Sequence, residues 1–377
     1  MKIFMIFLLV IILPVISYGN IVEFNDDVFK EFCSNLLEVQ DPNESDMARI
    51  LVLDMEGLGI HDLKGIEYAI NLEELYLYNN EVVVIPSGIG DLINLRRLFL
   101  QNNRIASVPP QIGNLVNLKY LWLGNNQLES VPKEIGNLIN LLSFSIRGNN
   151  VSEVPPEFGN LSSLEELSIS YNPISHLPSE IWSLSNLKNL SLWKNNFRDI
   201  PSEIENLTGL EFLQISYNSL NSLPEEIGNM KNLKELHIYD NGLTELPSTL
   251  GNIVGLEGLI IVEEKVASIP DGWENFTNLK KFWIFIEKLD YDFYCRLSKE
   301  IMKNNPELEK IVCFEDNNPL TKDCFCDLND FSIVASEWRD SDCSYYGNNW
   351  CKGADINEDG IVDLNDLSII CSLWLGY

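Results

Sequence analysis

Six oxygen donors crowd the short stretch from Asp355 to Asp366: the side chains of Asp355, Asn357, Asp359, Asp363 and Asp366, and the main-chain carbonyl of Ile361. Donors at alternate positions converge on one point only if the chain turns sharply, and Gly360 is the residue type that tolerates such a turn. Hard oxygens in this number suit calcium, with Asp363 reaching it through water, whereas magnesium demands a tighter octahedron and keeps more of its own waters. The bland alternative is a solvated acidic turn whose spacing coincides with a ligand set.

The elements around the loop narrow this reading. "DLNDLSIICSLW" (Asp363 to Trp374) repeats "DLNDFSIVASEW" (Asp327 to Trp338) at eight of twelve positions, so the tail is a duplicated unit in which a loop leads into an apolar helix. The loop has the spacing of an EF-hand, but it ends on Asp366 rather than Glu, and "DCSYYGNNWCKGA" stands where the preceding helix would be. With both departures and the duplication, residues 319–377 resemble a dockerin module of exported bacterial proteins. The resemblance implies calcium as the bound ion and a cohesin-like module as partner. In the first copy Pro319 and Thr321 replace two ligands, so little or no calcium is expected there. A calcium-stabilised cap or stalk without a cohesin would have the same sequence.

Upstream, L-x-x-L-x-L-x-x-N recurs with starts at Leu72, Leu95, Leu118, Leu141 and onward to Leu279, always 23 residues apart. A degenerate copy, Ala48 to Ile60, brings the count to about eleven. In L-x-L the two Leu point to one face of a short strand, so stacked copies make a parallel sheet with a buried inner side. Asn80, Asn103, Asn126, Asn149, Asn172, Asn195, Asn218 and Asn241 are expected to turn inward onto backbone groups, with Glu264 and Glu287 in that place in the last two copies. Pro at a fixed place in the outer half, as at Pro109 and Pro132, suits entry into a short convex helical segment. The pattern resembles the leucine-rich repeat family. That resemblance implies an α/β solenoid with a parallel concave sheet, short convex helical segments and a cap at each end, followed here by the small helical tail.

Strand residues that flank the inner Leu face the concave side, where the core does not dictate their type. Tyr76, Tyr78, Phe99, Tyr120 and Trp122 form a dense aromatic group there, joined further along by Trp193 and Tyr239. Exposed aromatics anchor interfaces because they bury much area with few rotors, which makes these residues candidate ligand contacts. The same rings could instead stack on one another along the ladder. The ligand expected is a protein; carbohydrate stacking would use the same side chains.

Composition bounds the rest. Asp and Glu outnumber Lys and Arg 56 to 26, for a net charge of −30, which repels phosphate backbones and argues against nucleic acid. Residues 1–19 carry one Lys, an apolar stretch and small residues before a cut at Asn20, the pattern of a signal peptide; an uncleaved anchor would be too short and is broken by Pro14. No later segment is apolar enough to span a membrane, and the protein is expected outside the cell or on its surface. Residues 20–47 read as an N-terminal cap in which Val28, Phe29, Phe32, Leu36 and Leu37 cover the first coil, 48–289 as the repeats, and 290–318 as a C-terminal cap. Of the eight Cys, Cys295 and Cys313 are expected to pair, and Cys324 and Cys326 to bridge to Cys343 and Cys351, leaving Cys371 reduced. Ten coils at about 4.8 Å each keep Cys33 far beyond bridging distance of the tail, so it should be unpaired. The three His lie in different coils and no hydrolase, metalloprotease or phosphate-loop motif is present, so no enzyme is expected.

Overall fold

The computed structural model describes residues 19–262 and 265–285, with short pieces at 301, 303–305 and 310–313. The leader, the calcium loop, Glu264, Glu287 and the Cys pairs proposed for the tail fall outside these residues, as does Cys295.

Each coil contributes one short strand to a parallel sheet, in the order β1 (Val52–Asp54), β2 (Glu74–Tyr76), β3 (Arg97–Phe99), β4 (Tyr120–Trp122), β5 (Ser143–Ser145), β6 (Glu166–Ser168), β7 (Asn189–Ser191), β8 (Phe212–Gln214), β9 (Glu235–Tyr239), β10 (Gly258–Val262), β11 (Lys281–Phe285) and β12 (Lys310–Cys313). Register is strict: Leu75, Leu98 and Leu121 stand opposite one another, and each is fully buried. The count is one strand higher than the period alone gives. β12 lies inside the stretch read as a C-terminal cap, with Ile311 opposite Phe282.

After each of β2 to β8 the chain crosses the core edge and turns at a proline, such as Pro109 (φ −69°) or Pro132 (φ −71°), into five residues of 3₁₀ helix such as Pro110–Asn114. So few residues between the turn and the next inward Leu favour the tighter helix over an α-helix. Its Ile is buried, and neighbouring coils come so close here that a Cβ on Gly113 would sit 2.5 Å from the Glu134 carbonyl oxygen.

The inward Asn behaves as expected, with a direction the sequence does not show. Asn149 Oδ1 accepts from the Leu128 N–H (3.0 Å), while Nδ2 donates to the carbonyls of Leu123 (3.0 Å) and Ile146 (2.8 Å). Asn126 makes the same three bonds one coil earlier, to Ile105, Leu100 and Leu123. One amide therefore ties its own coil to the preceding one and satisfies backbone groups that water cannot reach.

At the N-terminal end, α1 (Asp27–Leu37) buries Phe29, Cys33 and Leu37 over the first coil, with Phe32 and Leu36 packed partly against it. Val28, expected in that contact, is instead 42% exposed, because it falls on the outer side of the first helical turn. Asp26 anchors the cap. Its buried carboxylate accepts the first-turn N–H groups of Val28 and Phe29 and, from the first coil, that of His61 (2.7 Å). Burial alone would raise its pKa, but the amides of His61, Phe29 and Asp62 hold it below the ordinary range. Cys33 is free and fully enclosed, and burial pushes its thiol up to about 12.

Two outcomes follow from these contacts. Asn149→Ala leaves the Leu128 N–H without its acceptor and takes one of two Asn donors from each of the Leu123 and Ile146 carbonyls; it should lower stability by about 2 kcal/mol, whereas the exposed neighbour change Asn150→Ala should stay within about 0.5 kcal/mol, as read from urea unfolding. Cys33, with its pKa near 12, should have only about one thiolate in ten thousand at pH 8. It should resist Ellman's reagent until urea unfolds the cap. Since the folded thiol keeps a proton that the unfolded one releases near 9, this residue's contribution to stability is complete below pH 9 and declines as the pH rises towards 12.

Candidate binding surface

Four columns of side chains run along the concave side. The first includes Glu74, Arg97 and Tyr120; the second Tyr76, Phe99 and Trp122; the third Tyr78, Gln101 and Arg147. The fourth, immediately before the inward Asn, includes Asn79, Tyr171, Lys194 and Tyr217. Fourth-column residues adopt the left-handed conformation, with φ of 56° at Tyr171, 52° at Lys194 and 51° at Tyr217. Asn accepts that conformation readily. Tyr and Lys pay roughly 1 kcal/mol for it, and such costs collect at functional surfaces.

The N-terminal aromatic group is real but more tightly interlocked than its sequence implies. Phe99 stacks on Trp122 (centroids 4.3 Å apart) and meets the edge of Tyr76 (5.3 Å). Covered on both sides, Phe99 is only 8% exposed and is a spacer rather than an exposed contact. Tyr76, Tyr78, Tyr120 and Trp122 remain half-buried, with part of each ring open to solvent. Two of their polar ends are fixed: the Tyr76 hydroxyl donates to Glu74 (2.6 Å) and Trp122 Nε1 donates to Ser143 Oγ (3.0 Å), while Arg97 pairs with Glu74 and lies 5.5 Å from the Tyr120 ring. Burial first, and then the Glu74 carboxylate, push the Tyr76 hydroxyl up to about 12.

A second ladder was only half visible in the sequence. Trp193 meets Tyr171 edge-on at 4.5 Å and Tyr217 at 5.7 Å, and Tyr217 meets Tyr239 at 5.4 Å. Trp193 is thereby 6% exposed, against the expectation of an open anchor, while Tyr217 is 42% exposed. Tyr171 and Tyr217 were missed. The signal for both was an aromatic directly before the inward Asn, where other coils carry Asn, Gly, Lys or Asp. Beneath the ladder runs a polar lane in which Ser170 and Ser191 share a 2.7 Å hydrogen bond and Ser191 donates to Gln214 (3.0 Å).

His237, buried beside Phe212, lies 3.5 Å from Glu235 and lowers the pKa of that carboxyl. Among the described residues no cluster of three or more His, Cys, Asp or Glu is placed to hold a metal, and no helix is long and apolar enough to cross a membrane.

The profile described as leucine-rich repeat region matches residues 111–217 and 202–315, and the leucine rich repeat profile matches 70–128. The chain belongs to the leucine-rich repeat family. Among solved structures, this repeat protein is similar to an internalin of Listeria monocytogenes at 24% identity and a TM-score of 0.68, over 78% of this chain and 84% of that one. It is also similar to a TDR receptor (21% identity, TM-score 0.54, 72% of this chain and 57% of that one). A third likeness is to the plant peptide hormone receptor RGFR1 in complex with RGF2, at 26% identity and a TM-score of 0.52, over 65% of this chain. The repeat protein spans about half of that receptor's length, 48%. No curated protein matches it in sequence.

Proposed function

We propose that this leucine-rich repeat protein is an exported, non-catalytic recognition protein that binds another polypeptide on its concave face and is retained by a calcium-binding, dockerin-like tail. The observation that carries the reading is the pair of aromatic ladders along one concave side, each with half-exposed ring edges held by interlocked neighbours. Such pre-organised rings bury area at little entropic cost. The peptide-hormone receptor whose repeats resemble these binds its ligand as a polypeptide, which supports the same class of partner here. Carbohydrate is the second reading, but sugar stacking needs open ring faces, and the Phe99 and Trp193 faces are covered.

Substituting Trp122→Ala together with Tyr76→Ala should weaken capture of a polypeptide partner from an extracellular protein fraction by about tenfold or more, while the variant stays folded with stability lowered by only about 2 kcal/mol for the lost contacts to Phe99. Retained binding of both proteins and glycans would remove the concave face from the account.

For the tail, the donor set Asp355, Asn357, Asp359, Ile361, Asp363 and Asp366 has the chemistry calcium requires. Bound calcium would offset the mutual repulsion of four carboxylates and so help the following helix to dock, with a cohesin-like module as the partner of the docked form. Calorimetric titration of the full chain should show calcium binding that vanishes in the Asp355→Ala, Asp359→Ala double variant. Thermal unfolding of the repeats should be the same with and without calcium, since a continuous Leu core holds them. Absence of heat at millimolar calcium would rule out both calcium and docking.

A further inference from the structure

Many cations on this molecule follow a rule that Arg147 does not. Arg96 pairs with Glu73, Arg104 with Glu81, Lys188 with Glu165, Lys234 with Glu211 and Lys280 with Glu257, each time with the carboxylate one coil back. One coil back from Arg147 stands Gly124. No Asp or Glu occupies the second, third or fourth concave column from Trp122 to Tyr217, in a chain that has 56 of them. The gap lies at the middle of the concave face.

What Arg147 has instead is a pair of rings. Its guanidinium lies 5.2 Å from the Tyr171 centroid and 5.3 Å from that of Trp193, two coils away, a reach made free by the small, buried Ser170 between them. Lys194 adds a second positive charge 4.4 Å from the Tyr171 centroid. The indole N–H of Trp193, a residue only 6% exposed, has no acceptor among the described residues. Alongside, Gly148, at φ 68°, leaves the fourth column bare at that coil.

We infer that Arg147 and the Trp193 indole form a carboxylate-binding subsite at the centre of the concave face, which takes an Asp, Glu or chain-terminal carboxylate of a polypeptide partner. The guanidinium fork beside two rings and the indole N–H that lacks an acceptor match a planar acceptor with two oxygens. A single negative charge fits better than a phosphate or a polyanion, because the chain as a whole carries a net charge of −30 and its field opposes the approach of higher negative charge. Burial lowers the guanidinium's own pKa, a penalty that a bound anion would relieve. The inference rests on the reading of the concave face as a polypeptide-binding surface and names the chemistry of one contact within it.

The full-length protein is used to select from random peptide libraries synthesised with free and with amidated C-termini. Wild type should enrich Asp or Glu at one fixed position, or the free terminus, by at least about tenfold over Arg147→Gln. Arg147→Glu should reverse the preference to Lys or Arg at that position, which a purely structural arginine would not do. If these variants melt early, the charge is removed from the ligand instead. With 5-fluorotryptophan in the wild-type chain, the Trp193 fluorine signal, assigned by Trp193→Phe, should move with the selected peptide and not with its Asp→Asn or amidated form. Peptides selected with no acidic preference, or with one that Arg147→Gln leaves intact, would overturn the subsite while leaving polypeptide recognition standing. Failure to select any peptide, or Arg147-dependent binding of sulfated glycans in their place, would overturn both.

Discussion

One side-chain amide, repeated every 23 residues, makes this architecture feasible. A strand of three residues leaves its following backbone with donors and acceptors that no ladder partner meets, and these lie inside the coil where water is excluded. Asn149, with its oxygen on the preceding coil's N–H and its nitrogen on two carbonyls, meets three such groups at once. Asp, an acceptor only when ionised, could not donate; Gln would carry an extra methylene into a close-packed site. The Leu core supplies the drive for stacking, but the amide fixes how far apart the coils stand. In place of the next inward Asn, Asn305 provides a similar arrangement near the end, accepting from Leu279 and donating to Phe276 and Ile301.

Much of this was legible because repetition turns a weak pattern into a strong one. A single L-x-L is ambiguous; ten copies in register are not, and the inward Asn, the turning Pro and the concave columns all follow from the same count. Where the period fails, legibility fails with it. β12 stands 29 residues after β11 and so escaped a search at 23. The candidate surface was legible by position and not by exposure. Alternation says which way Phe99 and Trp193 point, but their burial depends on Tyr76 and Trp122 in one case and Tyr171 and Tyr217 in the other, neighbours brought in across the sheet. Arg147 was one letter in a column until the rings around it were in place.

Charge is distributed along the solenoid with the same regularity as the Leu. Glutamates at one coil and cations at the next form exposed pairs that add little to stability singly but set a register of alternating sign down the flank. Against that background a stretch whose second to fourth concave columns hold no carboxylate is conspicuous, and it coincides with the strained fourth-column Tyr171, Lys194 and Tyr217. Backbone strain, missing counter-charge and interlocked rings occur within the same few coils.

The regular stacking also turns the concave face into a ruler. Because the inward amides hold successive coils at one spacing, about 4.8 Å per step, the interval between the Trp122 ring and Arg147 is fixed in whole steps and cannot be tuned by bending a loop. Loss or duplication of a complete 23-residue unit would leave every amide with an equivalent partner, yet it would shift one feature past the other by a full division. Recombination could thus change the length of ligand such a surface measures without unsettling the structure that does the measuring.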